Sequence, residues 1–288
     1  MTIVLGANQF GKAETRVVRV DRDGDRHALR DLNVSVALAG DLDGVHLSGD
    51  NSAVLTTDTQ KNTVFAFARR HGIASPEDFA LLLAGHFVGS QPTVHRARVS
   101  IEEFGWERIP ATGHSFVRTG QEIRTARITH TAGATHVLSG LRELTVLNST
   151  GSEFWGYLKD EYTTLPETRE RVLATSVTAQ WRHDSPDGDW DSSYQAVKSV
   201  LLDAFAVTHS LSLQQTLFTM GRRVLQEVPG IAEIRFAMPN KHHFLVDLAP
   251  FGLDNPDEVY YAADRPYGLI EGTILRDDVP AAEDAWTS

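Results

Sequence analysis

Arg16-Val17-Val18-Arg19-Val20, Asp21-Arg22-Asp23-Gly24-Asp25 and Leu32-Asn33-Val34-Ser35-Val36-Ala37-Leu38-Ala39 are the runs whose reading sets the fold class. The first alternates charged and apolar residues, the second is turn chemistry, and the third alternates again through Leu32, Val34, Val36 and Leu38. A period of two on both sides of an Asp- and Gly-rich turn predicts an antiparallel β-hairpin with one buried face. The same signature returns further along. Val94 to Ile101 alternates, with Arg96 and Arg98 opposite Ala97, Val99 and Ile101. Glu122 to Thr131 and Thr135 to Leu147 read as a hairpin around Ala132-Gly133.

Between the hairpins the period changes. Val64, Phe65 and Phe67 fit either a helix or a strand. Ser75-Pro76-Glu77-Asp78 is a helix start: a hydroxyl cap, Pro at the first helical position, and acids against the helix dipole. Phe79, Leu82, Leu83, His86 and Phe87 follow at helical spacing and predict one buried face. In the second half, Val177, Ala179 and Trp181 alternate as a strand and Asp187-Gly188-Asp189 reads as a turn. Asp191 is the expected cap of a helix with Tyr194, Val197, Leu201 and Phe205 on one stripe. A second helix, starting near Ser212, carries Leu217, Met220 and Val224 and stops at Pro229-Gly230. Ile234, Phe236 and Met238 form a strand; Phe244–Leu248 and Glu258–Ala262 read as two more. Each half thus runs strands, helices, strands. Antiparallel hairpins with long connections point to α+β rather than a doubly wound α/β sheet.

Composition narrows the function. The chain has 288 residues, enough for one large domain or two ordinary ones. With 41% hydrophobic and 23% charged residues it is globular rather than disordered. Lys plus Arg is 27 against 38 Asp plus Glu, a net charge of −11, which argues against nucleic acid or an anionic membrane as partner. The absence of cysteine removes disulfides, thiolate metal sites and a cysteine nucleophile. No run approaches the ~20 apolar residues of a membrane span. The apolar Met1–Gly6 start lacks the charge and length of a signal peptide, and Ala285-Trp286-Thr287-Ser288 is not a Ser-Lys-Leu signal. A soluble cytoplasmic protein is expected.

The common cofactor motifs are missing: no Gly-x-Gly-x-x-Gly, no phosphate-binding Gly-Lys loop, no Gly-x-Ser-x-Gly elbow. Asp21–Asp25 lacks the twelve-residue frame of a calcium loop, so a hairpin turn is the better reading. His242 and His243, adjacent in a strand, are expected on opposite faces and so cannot share an ion. Several polar segments remain, each with a bland explanation. Thr56–Thr63 reads as an exposed loop or helix cap, Pro239–Phe244 as a β-turn, Gln214-Gln215-Thr216 as an ordinary helix start, Lys12 and Arg171 as surface charges, and Phe154 and Trp155 as core aromatics.

Taken together in order, these segments resemble the urate oxidase (uricase) family. Asn8-Gln9-Phe10-Gly11-Lys12 with Arg16 is similar to the family's Tyr-Gly-Lys start, with Phe for Tyr. Thr57-Asp58-Thr59-Gln60-Lys61-Asn62-Thr63 resembles its Thr-Asp-x-x-Lys-Asn-Thr block. Asn148–Tyr157 and Asp160–Leu165, then Glu167-Thr168 and Arg171, follow at family spacing. Ser212–Thr216, Pro239–Phe244 with Asp247-Leu248, and Gly268-Leu269-Ile270 complete the series. Gly89 to Gly133 carries no motif.

The resemblance implies two tandem tunnelling-fold (T-fold) domains, residues 1–134 and 135–288, with antiparallel sheets carrying helices on one face. It implies a homotetramer around a hollow β-barrel with active sites between subunits. It also implies oxidation of urate by O2 and water to 5-hydroxyisourate and H2O2 without a metal or organic cofactor. The absent Ser-Lys-Leu tail departs from peroxisomal members and fits a bacterial, cytosolic type.

The residue roles the resemblance implies suit a flat, oxygen-rich anion. Arg171 offers a planar fork of donors, and Gln214 pairs an acceptor and a donor with adjacent N–H and C=O groups. The Leu213 backbone N–H meets an anionic oxygen, Phe154 stacks on the purine, and Leu165 and Ile270 form an apolar wall. Thr57 and the Asp58 N–H hold the opposite edge, from the neighbouring chain. Lys12 is the base, Thr57 a relay, and His242 completes the proton chain. Asn240 holds O2 and then water above the ring. Three rivals stand beside this reading: a pterin-handling T-fold enzyme, which would need a zinc or a Glu anchor not seen here; an inactive urate binder; and an α+β interaction protein.

Overall fold

The structure, a computed structural model, describes residues 1–287. Eight strands appear: β1 (Phe10–Asp21), β2 (Ala28–Gly40), β3 (Val94–Arg108), β4 (Phe116–Thr131), β5 (Thr135–Asn148), β6 (Leu173–His183), β7 (Ile231–Leu245) and β8 (Tyr260–Leu275). The helices are α1 (Asp43–Ser48), α2 (Thr57–His71), α3 (Pro76–Ser90), α4 (Trp190–Val207), α5 (Leu213–Glu227) and α6 (Glu283–Trp286). Strand order follows chain order, β1 to β8, which a doubly wound sheet would not do. The chain divides into two compact units. The first holds residues 1–140, 181–194 and the segment from Asp278 onward; the second holds 141–180 and 195–277. Among the described residues, no helix is long and apolar enough to cross a membrane.

In the first unit the predicted hairpin forms, with Val17 opposite Leu32. The apolar face continues across the ladder, with Val34 beside Ile101, Val36 beside Val99, and Val99 beside Ile128. α3 covers this face with Phe79, Leu83 and Phe87, all buried. Leu82, expected on the same face, is 36% exposed. The buried residues of α3 recur at i and i+4, and Leu82 falls to one side of that stripe. Ser75 caps α3 as read: its hydroxyl accepts from the Asp78 N–H at 3.0 Å. The ambiguous Val64 segment is helix α2, which buries Gln60, Val64 and Ala68. Thr56–Thr63 is therefore the cap and first turns of a helix rather than a loop.

A buried polar knot sits at the start of α3. Glu77 accepts from Arg124 at 2.7 Å and from the Ser139 hydroxyl at 2.6 Å. Ser139 in turn accepts from His183 Nε2 at 2.9 Å. Arg124 also pairs with Asp191. Burial, with Arg124 nearby, pushes the His183 imidazole down to about 4. Burial also raises the Glu77 carboxyl, against the pull of Arg124. Asp191 is thus an ion-pair partner and not the cap of α4. The cap is Asp189, whose carboxylate accepts from the Ser192 N–H at 3.0 Å and whose carbonyl accepts from Ser193 at 2.9 Å.

In the second unit α5 lies on β7 and β8. Leu217, Met220 and Val224 are buried, as are Ile234, Phe236 and Met238. The approach is close: a Cβ on Gly272 would fall 2.8 Å from Leu217 Cδ2, and one on Gly221 would fall 2.7 Å from Ile274 Cδ1. β7 runs unbroken from Ile231 to Leu245, so Pro239–Phe244 is strand and not a turn. Phe244 and Leu245 end β7, and Tyr260–Ala262 begins β8, rather than forming strands of their own. The turn chemistry is absorbed by a bulge. Asn240 pairs with Gly268, but His242 pairs with Ala263, so the ladder slips between them.

Candidate active site

A cavity of about 530 Å³ opens in the second unit. Phe154, Leu165, Arg171, Leu213, Gln214, Asn240, His242 and Ile270 all line it. These residues come from three places, and each is held by local chemistry.

The first is the segment 149–172 between β5 and β6. Its two ends are pinned by a pair of backbone hydrogen bonds, Phe154 N–H to Thr168 C=O at 2.8 Å and Thr168 N–H to Phe154 C=O at 3.0 Å. The Phe154 ring stacks on Tyr157 with centroids 4.8 Å apart. The Arg171 guanidinium lies 5.3 Å from the centre of the Phe154 ring. Arg171 Nε donates to Ser152 Oγ at 3.2 Å. Among the described residues no carboxylate pairs with Arg171. Two of the three acids that line the cavity are turned elsewhere: Glu170 accepts from the Gly151 N–H at 3.2 Å and Glu167 from the Gly156 N–H at 2.8 Å. Burial with no anion to offset it lowers the Arg171 pKa. The site therefore holds a desolvated positive fork without its counter-ion.

The second is the start of α5. The Ser212 hydroxyl accepts from the Gln215 N–H at 3.2 Å and its carbonyl from Thr216 at 3.1 Å. The N–H groups of Leu213 and Gln214, at the first two helical positions, are left for a ligand. The third is the pair β7–β8, which supplies Asn240, His242 and Ile270. His243, expected on the opposite face from His242, lines the same cavity. The slip in the ladder beside it breaks the strict alternation of faces. His243 Nδ1 donates to the Lys241 carbonyl at 3.0 Å, which fixes its tautomer.

Lys12, Thr57 and Asp58 belong to the first unit and do not line this cavity. Lys12 sits on β1 at a bulge, where the pairing shifts between Lys12 opposite Val36 and Thr15 opposite Val34. Thr57 and Asp58 open α2, whose cap Thr56 accepts from the Thr59 N–H at 3.1 Å. The Asp58 carboxylate is held low by Lys61, with help from Asn62 and the charge of Lys12. With that carboxylate engaged on its own helix, the Thr57 and Asp58 backbone N–H groups and the Thr57 hydroxyl are what this corner offers a ligand.

Sequence reasoning missed Ser152, Ser210, His243 and Tyr260. Ser152 stands inside a quoted block without a role, and nothing in the local pattern marks Tyr260. Burial, with Asp257 and Glu170 nearby, raises the Tyr260 pKa and keeps its hydroxyl protonated. Among the described residues no three His, Asp or Glu side chains gather as a metal site.

Antiparallel strands in chain order, with helices on one face, define an α+β protein of the tunnelling fold. Comparison with known proteins narrows the class. A family model described as Uricase matches residues 8–129 and 137–271. The uricase of Arthrobacter globiformis is 51% identical over 286 residues, covering 99% of this chain and 94% of that protein. The uricase of Danio rerio is 36% identical over 277 residues, 93% of each chain. The crystal structure of the Arthrobacter globiformis enzyme superposes with a TM-score of 0.96, covering 99% of both chains. The chain belongs to the uricase family.

Proposed function

We propose that this protein is a urate oxidase of purine degradation, oxidising urate with O2 and water to 5-hydroxyisourate and H2O2 without a cofactor. The observation that carries the reading is the uncompensated Arg171 fork beside the free N–H groups of Leu213 and Gln214, under an aromatic ring. Such a set takes a flat anion with adjacent carbonyl and N–H groups. Arg171 and the Gln214 amide hold one edge of urate. Phe154 covers one face, and Leu165 and Ile270 close the apolar wall. Asn240, in the lining of the same cavity, holds O2 and later water.

The reaction balances as urate plus O2 plus water giving 5-hydroxyisourate plus H2O2. The ring loses two electrons to O2, and the water oxygen becomes the new hydroxyl. Proton removal raises the electron density of urate so that it can reduce O2. Lys12 takes that proton through the Thr57 hydroxyl, and His242 returns protons to the reduced oxygen. The Thr57 and Asp58 N–H groups hold the far edge. A dry cavity protects the intermediates.

Lys12, Thr57 and Asp58 come in this reading from a second copy of the chain, in a homotetramer around a hollow barrel. Two features support the assembly: the cavity lining lacks all three residues, and β1 and β8 each keep one unpaired edge. Two T-fold domains, 1–134 and 135–288, match the break in the family match between 129 and 137. A cytoplasmic location fits the lack of cysteine.

The test mixes metal-depleted protein with urate in air and follows urate absorbance, O2 uptake and peroxide together. Coupled changes insensitive to chelator support the reading. Urate binding without turnover means an inactive binder, and neither binding nor turnover redirects the search to pterins.

A further inference from the structure

The segment that carries Phe154 and Arg171 is joined to the helix that carries Leu213 and Gln214 at one fully buried side chain, Ser152. Its backbone forms a bridge with Ser210. The Glu153 N–H donates to Ser210 C=O at 2.7 Å, and the Ser210 N–H donates to Gly151 C=O at 2.9 Å. The Ser210 hydroxyl, also fully buried, accepts from Thr216 Oγ1 at 2.8 Å in the first turns of α5. From the other side, the Ser152 hydroxyl accepts the Nε–H of Arg171 at 3.2 Å. A short path of buried hydroxyls and backbone bonds thus runs from the guanidinium to the helix start.

A guanidinium has five N–H donors, and the one on Nε sets the plane of the group. Held there by a hydroxyl, the plane is fixed while the four terminal N–H groups stay free. A carboxylate in the place of Ser152 would hold the group as firmly but would neutralise it and compete with an anionic ligand. A buried neutral acceptor is the choice that orients the fork and leaves its charge for the substrate.

We propose that Ser152 is the positioning residue of Arg171. It fixes the guanidinium plane relative to the start of α5, so that the fork and the Leu213 and Gln214 N–H groups converge on one urate anion. The proposal rests on the urate reading above.

The experiment is a double-mutant cycle on Ser152→Ala and Arg171→Lys. Steady-state kinetics in air are paired with anaerobic titration by urate, where binding occurs without turnover. Ser152→Ala is expected to raise KM and the anaerobic Kd by about 10-fold, the size expected for a lost hydrogen bond to a charged group, with kcat within about 2-fold. In the Arg171→Lys background, which lacks the Nε–H, Ser152→Ala is expected to change kcat/KM by less than about 2-fold. An equal loss in both backgrounds would overturn the proposal, because Ser152 would then act through packing. So would a fall in kcat at unchanged KM, which decides alone where Arg171→Lys leaves no measurable kcat/KM. A wild type that binds and oxidises urate while Ser152→Ala matches it sinks only the proposal. A wild type that does neither sinks the urate reading and the proposal with it.

Discussion

Glu77 and Arg124 meet at 2.7 Å with side chains 0% and 9% exposed. Two charges removed from water stabilise the fold only while each keeps its partner. Glu77→Gln leaves Arg124 short of its most buried counter-charge. The expected loss is about 3 kcal/mol of unfolding free energy, read by urea denaturation. The double variant Glu77→Gln, Arg124→Met should recover part of it, since no buried cation is then stranded.

His183 gives this knot a pH dependence. Its folded pKa, about 4, lies below the ordinary histidine value of 6.5. The unfolded chain therefore binds the extra proton between those limits, and stability falls as pH drops through that window. The full contribution is present above pH 6.5 and gone below about 4, a span of ~3 kcal/mol. Neighbouring Glu77, raised by burial, acts in the opposite sense. The difference between wild type and His183→Gln isolates the histidine. It should be steep from pH 6.5 to 4 and flat above; a flat difference throughout refutes the assignment.

Arg171→Lys keeps the charge but loses the fork and the Nε–H that Ser152 receives. The expected outcome is a rise of about 10- to 100-fold in KM for urate, larger than the change in kcat. Anaerobic titration checks that the loss is one of binding.

Lys12→Met and Thr57→Ala test the proposed proton relay. Each should lower kcat by about 100-fold or more while anaerobic urate affinity changes by less than ~10-fold. Unchanged turnover in either variant removes the relay.

The hairpin of Arg16–Ala39, the cap at Ser75, the start of α5 near Ser212 and the stripe of α4 were all legible in the sequence, because each is set by neighbours within one turn or one strand. Asp191 misled because Asp189 and Asp191 are both plausible caps, and only the fold shows Arg124 beside the second. Pro239-Asn240 reads as a turn by composition. Just past it, opposite the step from Asn240 to His242, the partner strand β8 carries extra residues, and a bulge does what a turn would have done. The cavity residues were legible through resemblance rather than local pattern, since Phe154, Gln214 and Ile270 are far apart in the chain and each alone has a bland explanation. Ser152 escaped because a buried serine announces nothing until its acceptor role is seen.

The presence of both Phe154 and Asn240 in the cavity lining has a stereochemical consequence for the urate reading. Urate is planar and has no handedness, but its C5 becomes a stereocentre when the hydroxyl arrives. In the proposed pose, a ring held along its edge by Arg171 and Gln214 cannot turn over, and the face that Phe154 covers is closed to water. Oxygen chemistry on the open face alone would deliver a single mirror form of 5-hydroxyisourate, optically active at the moment of release and losing that activity only as it reacts in solution.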